Sequence, residues 1–453
     1  MRLRISPREK PKTRIPLLMV AVTAMVGATL VTVFAIGLPD LGDDISVTAQ
    51  DIGSLGGNTT FAWSVNEFGV VVGYGDTASG QTVGFQWTAD SGLVELPVLD
   101  GGTALAFAIN NLGQIVGSAT TATGVTHAVM WSPAGDIVDL GTWGAASALA
   151  TGINDRGQVV GAAIDVAGTW RAVLWSQEGG VQLLGSLGGN NTMAADINNN
   201  GQIVGYGVTA NRQWHGFLWA DGEMIDLGTM GGSASFAAEI NDDGMIAGSR
   251  LTANGMMQPA TWQIDLSDGS LSAGALEATD GNSALYGVSS QGMYVGSGLV
   301  YAASFDAFRF ELSPPVKLLP TPGGSYCDVE SVNGVGQIAG WSSTSEGALH
   351  ATLWRLSLET SVAASSQLDV LVNLVAMLAD TGEIEAQALN PLSSKLQSSQ
   401  AAVERDNLTA AINKLGAFQN DVGAQAGKKI TQSAADALIA AAASIIATLE
   451  AAP

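Results

Sequence analysis

The chain has 453 residues, too many for one small core, and at roughly 100–200 residues per domain it predicts two or three folded units. Only 13% of residues are charged while glycines number 57, a balance that fits an all-β protein with many turns. Net charge is −23, and without the basic first fourteen residues the body carries 12 basic against 40 acidic side chains, which excludes nucleic acid as a natural partner. A lone Cys327 leaves no intrachain disulfide.

The N-terminus reads as a targeting segment. Arg2, Arg4, Arg8, Lys10, Lys12 and Arg14 precede an uncharged apolar run from Ile15 to Leu38. Its 24 residues are enough to span a bilayer, and Ala35-Ile36-Gly37 offers a small-x-small cleavage site. Residues 1–38 therefore fit a cleaved signal and a retained anchor equally, and either exports the remainder.

The body is a repeat. Ile109-Asn110-Asn111-Leu112-Gly113-Gln114-Ile115-Val116-Gly117 recurs as Ile153 to Gly161 and as Ile197 to Gly205. The key position runs Asn66, Asn110, Asn154, Asn198, Asn241, Ser289, Asn333, in steps of 44, 44, 44, 43, 48 and 44. Twenty-one residues after each comes an aromatic: Trp87, Trp131, Trp175, Trp219, Trp262, Phe310 and Trp354. Each copy reads as four short strands. The first is rich in small residues and ends at the Asn; Asn-x-x-Gly turns the chain into the second. A polar loop leads to a third strand ending at the aromatic, and a fourth strand resembles Ile137-Val138-Asp139-Leu140. Seven such copies predict an all-β, seven-bladed propeller over residues 45–356, with the small first strand nearest the axis. The last copy stops near Trp354, and a spare strand, Ile45 to Ile52, precedes the first. That strand is expected to complete the seventh blade; an open β-solenoid is the alternative.

These residues resemble the bacterial extracellular repeat family named for its His-Ala-Phe motif, which stands here as His127-Ala128-Val129-Met130-Trp131, His215-Gly216-Phe217-Leu218-Trp219 and Asp306-Ala307-Phe308. The resemblance implies export and no defined activity.

From about Thr360 glycine becomes sparse and apolar residues fall at helical spacing. Leu368, Leu371, Val375 and Leu378 share a face, Thr381-Gly382 breaks that helix, Glu383 to Arg405 supplies a second, Leu408 to Phe418 mark a third, and Thr431 caps a fourth. Residues 362–450 thus predict a small four-helix bundle, joined by a stretch near 356–366 that limited proteolysis should cut. Thr381-Gly382-Glu383-Ile384, Ala411…Leu415…Phe418 and Gly427-Lys428-Lys429-Ile430 with Ala434…Leu438…Ile445-Ile446 resemble the FIMAH domain of exported bacterial proteins, which implies attachment or assembly.

Chemistry is weakly marked. His127, His215 and His350 lie four residues before the repeat aromatic, in copies two, four and seven, too far apart to share an ion; the expectation is a structural role and no metal. Calcium is left open by Asp242-Asp243-Gly244 and Asp265 to Gly269, which do not complete a calcium loop. Asn66, Asn110, Asn154, Asn198, Asn241 and Asn333 are expected in turns, and Trp87, Trp131, Trp175, Trp219, Trp262 and Trp354 in packing. No catalytic motif and no cofactor signature is present, so function is expected where copies differ, above all in the loops between second and third strands. Trp143, Trp170, Arg212 and Trp214 lie on that face. They point to a non-catalytic extracellular protein recognising protein or glycan. A secreted polysaccharide hydrolase and a structural surface-layer component are the alternatives; a carboxylate cluster in the central channel would favour the hydrolase.

Overall fold

The computed structural model describes residues 33–36, 46–265, 270–275, 283–297, 304–306, 309–311, 317–324, 326–356 and 360–451. The repeats fold as four-stranded antiparallel sheets, giving a propeller-like β domain followed by a four-helix module. In the second repeat Ala104–Ile109, Ile115–Thr120, Thr126–Trp131 and Ile137–Gly141 cross the sheet in chain order, and the third to fifth repeats follow the same plan.

The repeat Asn does more than turn the chain. Asn110 Oδ1 accepts the N–H groups of Leu112 (3.1 Å) and Gln114 (2.9 Å), which fixes the turn. Its Nδ2 donates to the carbonyl of Asn154, the same position one repeat on, at 3.0 Å. Equivalent bonds run from Asn66 to Asn110, Asn154 to Asn198, Asn198 to Asn241, Asn241 to Ser289, and from Asn333 back to Asn66 at 2.9 Å. Sequence spacing gave the turn but not this ladder between repeats.

The glycine closing the repeated motif has an equally local cause. The first strand of every repeat carries a β-bulge, as between Ala106 and Ala108, which pushes its backbone towards the second strand. A Cβ on Gly117 would sit 1.9 Å from the Leu105 carbonyl oxygen, and the equivalent clash recurs at Gly73, Gly161, Gly205, Gly248, Gly296 and Gly340. The small residues expected in this crowded strand are there: Ala62, Ala106, Ala150, Ala194 and Ala237 are fully buried.

Among the repeat tryptophans, Trp131, Trp262 and Trp354 are the most deeply buried, and each Nε1 donates to a carbonyl of the preceding repeat, at Pro97, Leu227 and Pro320. Trp87 and Trp219 are buried and Trp175 half-buried. Val47–Gly53 pairs antiparallel with Leu349–Leu356, from Val47 opposite Leu356 to Gly53 opposite Ala351. It repeats the chemistry of a fourth strand. His350 Nδ1 lies 2.9 Å from Asp51, as His127 lies 2.8 Å from Asp139 and His215 2.8 Å from Asp226. In each case the carboxylate also accepts the N–H of the glycine two residues on. The histidines thus tie third strands to fourth strands.

The sixth repeat departs from expectation. Its third strand was expected to end at Phe310, after the motif Asp306-Ala307-Phe308. Instead Val33–Ile36 pairs antiparallel with Tyr294–Ser297 on one side and Lys317–Leu318 on the other, while Ser304–Asp306 and Arg309–Glu311 form a separate hairpin. The step of 48 leads from repeat five into repeat six, and repeat six has no tryptophan at this position, whereas Val-Phe-Ala-Ile has strong strand preference. The rest of the Ile15–Leu38 run, and residues 307–308, lie outside the described residues.

Four helices follow: α1 (Thr360–Asp380), α2 (Ala386–Val403), α3 (Leu408–Gln425) and α4 (Gln432–Glu450). Gly382, at φ +81°, ends the first, and the side chains of Asn407 and Thr431 accept the N–H groups of Ala410 and Ala434 as N-caps. Leu368, Leu371, Leu396, Leu415, Phe418, Leu438 and Ile445 form the core. By length and composition α1 and α4 are apolar enough to cross a membrane, yet here their apolar faces fill that core. The module sits on the Asn-turn side of the β domain. Gln367 Nε2 donates to the Glu67 carbonyl (2.8 Å), Ser444 Oγ to that of Phe68 (3.2 Å) and Gln291 Nε2 to Ser366 Oγ (3.3 Å), while Phe68 and Leu112 pack against the helical core.

Candidate functional site

The four residues singled out on the loop face do not form one exposed surface. Trp170 is a correction: it opens the strand Trp170–Ser176, is 9% exposed, and packs with Ala162, Met193 and Tyr206. Alternation in the strand points its indole inward. Trp214 is half-buried against the same cluster, its ring 5.8 Å from Tyr206. Trp143 is half-buried beside Leu140 and Trp175, at φ +53°, and its Nε1 is enclosed with no hydrogen-bond partner among the described residues. Arg212 alone is exposed, at φ +64°, where the corresponding turns carry Gly80, Gly124, Gly168, Gly255 and Gly347. A bulky side chain in that left-handed region is strained, by about 1 kcal/mol.

The feature that repeat spacing missed is a cavity of about 170 Å³ between the first strands. The bulged residue of every repeat lines it: Trp63, Phe107, Thr151, Ala195, Ala238, Tyr286 and Glu330. A bulge frees one residue from the ladder, so its side chain can vary without disturbing pairing. Reading the position three before each key Asn down the repeats would have revealed this variability.

One wall is aromatic. Trp63 packs edge-on to Phe107 (5.7 Å) and stacks on Tyr74 (5.8 Å), with Trp341 and Phe61 behind. Tyr206 and Phe236, 5.4 Å apart, supply a second aromatic wall. Between them stand Asp196, Glu239 and Glu330. Asp196 accepts the N–H of Ile240 and Glu239 that of Val288, both at 3.0 Å and both across to the next repeat. Glu330 Oε1 is enclosed with no partner among the described residues. Burial pushes the Asp196 carboxyl up to about 7; burial, reinforced by neighbouring carboxylates, holds Glu239 and Glu330 well above the ordinary range.

On the Asn-turn side the residue after each key Asn builds a collar. Glu67, Asn111, Asp155 and Asn199 each donate their N–H to the next side chain round, ending at Asp242, and Gly334 donates to Glu67. Carboxylates alternate with amides, so neighbouring like charges are separated by a donor. Asp242, one of the loop residues that left calcium open, has both oxygens engaged by Asn199; 266–269 lie outside the described residues. Among the described residues no group of three His, Cys, Asp or Glu is placed to hold a metal ion. Cys327 is buried, and burial pushes its thiol up to about 12.

Residues 368–447 match the FIMAH domain. The FIMAH module is therefore the element docked on the collar side, and the loop side is left to the β domain. No curated protein matches the chain. Solved structures with some likeness include a protein assigned as TolB from Agrobacterium tumefaciens (TM-score 0.38, 9% identity, covering 55% of this chain and 89% of that one). Others are a gluconolactonase from Xanthomonas campestris (0.34, 10%, 71% and 94%) and the six-bladed β-propeller lectin of Aleuria aurantia (0.33, 13%, 66% and 95%). Likenesses of this size carry no argument about function.

Proposed function

We propose that the chain is a non-catalytic extracellular recognition protein of the His-Ala-Phe repeat type. In this reading seven blades close into a ring over residues 45–356, the central cavity takes part of a protein or glycan ligand, and the FIMAH module, residues 362–450, serves attachment or assembly. The observation that carries it is the common bulge bearing six residue types over seven repeats, with only Ala195 and Ala238 alike. Closure is supported by the strand Val47–Gly53 on the last repeat and by the Asn333–Asn66 bond. Residues 1–38 export the chain. If the segment stays as an anchor, the span has to lie before the strand Val33–Ile36, in the uncharged run that begins at Ile15. The test is a glycan array and a protein-ligand screen with the purified protein, repeated with Trp63→Ala; binding that does not respond to Trp63 places recognition elsewhere, first on the loop face with Trp143, Arg212 and Trp214.

The hydrolase alternative is favoured by one observation, the carboxylates in the cavity. Two of the three, however, hold adjacent repeats together through backbone amides, which accounts for them without chemistry. Incubation with polysaccharides and assay of new reducing ends should show no turnover. Turnover abolished by Glu330→Gln or Glu239→Gln would replace the binding reading.

A further inference from the structure

We propose that the central cavity binds an organic cation, a quaternary ammonium or protonated amine group, with Glu330, Glu239 and Asp196 facing the charge and Trp63, Phe107 and Phe236 enclosing its carbon surface. This deepens the reading of the cavity as the recognition site and rests on it.

The charge balance comes first. Three carboxyl groups line the cavity and, among the described residues, no Lys, Arg or His does. Asp196 and Glu239 each have one oxygen bonded to a backbone N–H, which is a structural duty. Glu330 has none that the fold explains: its Oε1 is enclosed and unpartnered, at the bulge position whose side chain the ladder does not dictate. An enclosed carboxylate oxygen with neither a donor nor a counter-charge is costly unless a ligand supplies one or the other. Burial holds the cavity carboxyls towards their neutral forms, with Asp328 and the collar acids Glu67 and Asp242 adding repulsion. A bound cation would reverse that bias.

The aromatic walls narrow the class. A hard metal ion asks for six or more oxygens, and this lining instead sets five aromatic side chains, Trp63, Phe107, Tyr206, Phe236 and Tyr286, around three carboxyl groups. An anion would meet three acids and no base. A neutral sugar could stack on Trp63 and donate a hydroxyl to Glu330, but it brings no charge to offset three clustered carboxyl groups. An alkylammonium group satisfies both halves, its charge against the carboxylates and its methyl or methylene surface against the ring faces. The room suffices for such a group and not for a whole folded partner, so the cation is a headgroup or side-chain terminus. Entry is from the loop side: Phe236 precedes the bulge by two residues on that side, while the opposite end carries the collar and the helices.

The experiment is titration of the full chain with tetramethylammonium, choline and 3,3-dimethylbutan-1-ol, the uncharged carbon isostere of choline, followed by calorimetry and tryptophan fluorescence. The cations should bind about tenfold or more tighter than the isostere. Glu330→Gln, which keeps shape and removes the charge, should weaken them about tenfold while the melting temperature is unchanged or raised. Equal binding of the isostere, or cation binding indifferent to Glu330→Gln, overturns the assignment. If ligands from the array lose binding in Trp63→Ala but tetramethylammonium does not compete with them, the cavity recognises a neutral group and only the cation assignment falls. If no ligand responds to Trp63→Ala, the reading of the cavity as the site falls with it.

Discussion

The bond between Asn333 and Asn66 bears on whether the repeats form a ring, and comparison with an internal position tests it. Asn→Asp at the key position keeps the oxygen that accepts the turn N–H groups and removes the Nδ2 that donates both to the next repeat and to the Gln Oε1 four residues on, at 2.8 Å for Asn154–Gln158 and 2.7 Å for Asn333–Gln337, a loss common to both variants. In Asn154→Asp the Arg156 and Gln158 N–H groups keep their acceptor, and the Asn198 carbonyl, 3.0 Å away, loses its donor and faces a carboxylate. In Asn333→Asp the Val335 and Gln337 N–H groups keep theirs, and the Asn66 carbonyl, 2.9 Å away, is orphaned in the same way. Both sites are buried, so each change should cost roughly 2–4 kcal/mol. For a cooperative β domain of roughly 300 residues, with about 2.1 cal/mol/K of unfolding entropy per residue, that is a fall in Tm of about 3–6 °C. Differential scanning calorimetry at pH 8 measures both variants beside the wild type. A ring predicts equal losses, because the seam between the last and first repeats is then an interface like any other. A fall of several degrees for Asn154→Asp with less than about 1 °C for Asn333→Asp would refute closure.

Three further outcomes follow from the same structure. Trp170→Ala should cost about 3–5 kcal/mol in urea unfolding, because it empties a packed site; a loss below about 1 kcal/mol would restore Trp170 to the surface. Arg212→Gly should leave stability unchanged or raise it by up to about 1 kcal/mol, since the turn has φ +64° and its counterparts are glycines; a clear loss would show that the guanidinium holds the loop. Stability should fall as pH rises from about 4 to 7. Asp196 has a folded value near 7, above its unfolded value, so in that window the folded protein holds a proton that the unfolded chain has released; its share is at most roughly 4 kcal/mol, Glu239 and Glu330 act in the same direction, and Asp196→Asn should flatten the curve.

Much of the architecture was legible because it is repeated. The Asn, Gly and Trp positions announce themselves by spacing, and Asp51-Ile52-Gly53 betrayed its fourth-strand character through likeness to Asp139-Leu140-Gly141. The sixth repeat was misread because similarity of 306–308 to a motif outweighed its missing tryptophan; spacing cannot tell that a distant strand, Val33–Ile36, takes the place. Trp170 was misread because position between repeat strands was taken for exposure. Loop and strand differ there by a single residue of register, which only packing fixes. The helices were legible from the Leu and Ile stripe, but their docking was not, since Gln367 and Ser444 are unremarkable polar residues until set against the Glu67 and Phe68 carbonyls.

The cavity was hidden for a different reason. Repetition draws attention to positions that stay the same, and the position that lines the cavity is the one that changes. The bulge explains why it can. Pairing on either side of it is kept by residues such as Ala106 and Ala108 against Gly117 and Val116, while Phe107 stands outside the register. The motif glycine opposite leaves room for the displaced backbone, so every repeat that keeps the glycine gains one side chain free of ladder constraints. The chain uses that freedom unevenly. Trp63 and Phe107 fall in neighbouring repeats, Ala195 and Ala238 keep space open in the fourth and fifth, and Glu330 enters from the seventh. Similar sheets carrying these unlike residues produce a cavity in which carboxyl groups stand among aromatic walls, an uneven lining on a repeated scaffold. Under the cation proposal a ligand pairs charge with carbon surface, which is why that pairing, rather than either alone, is the property to vary in the search for it.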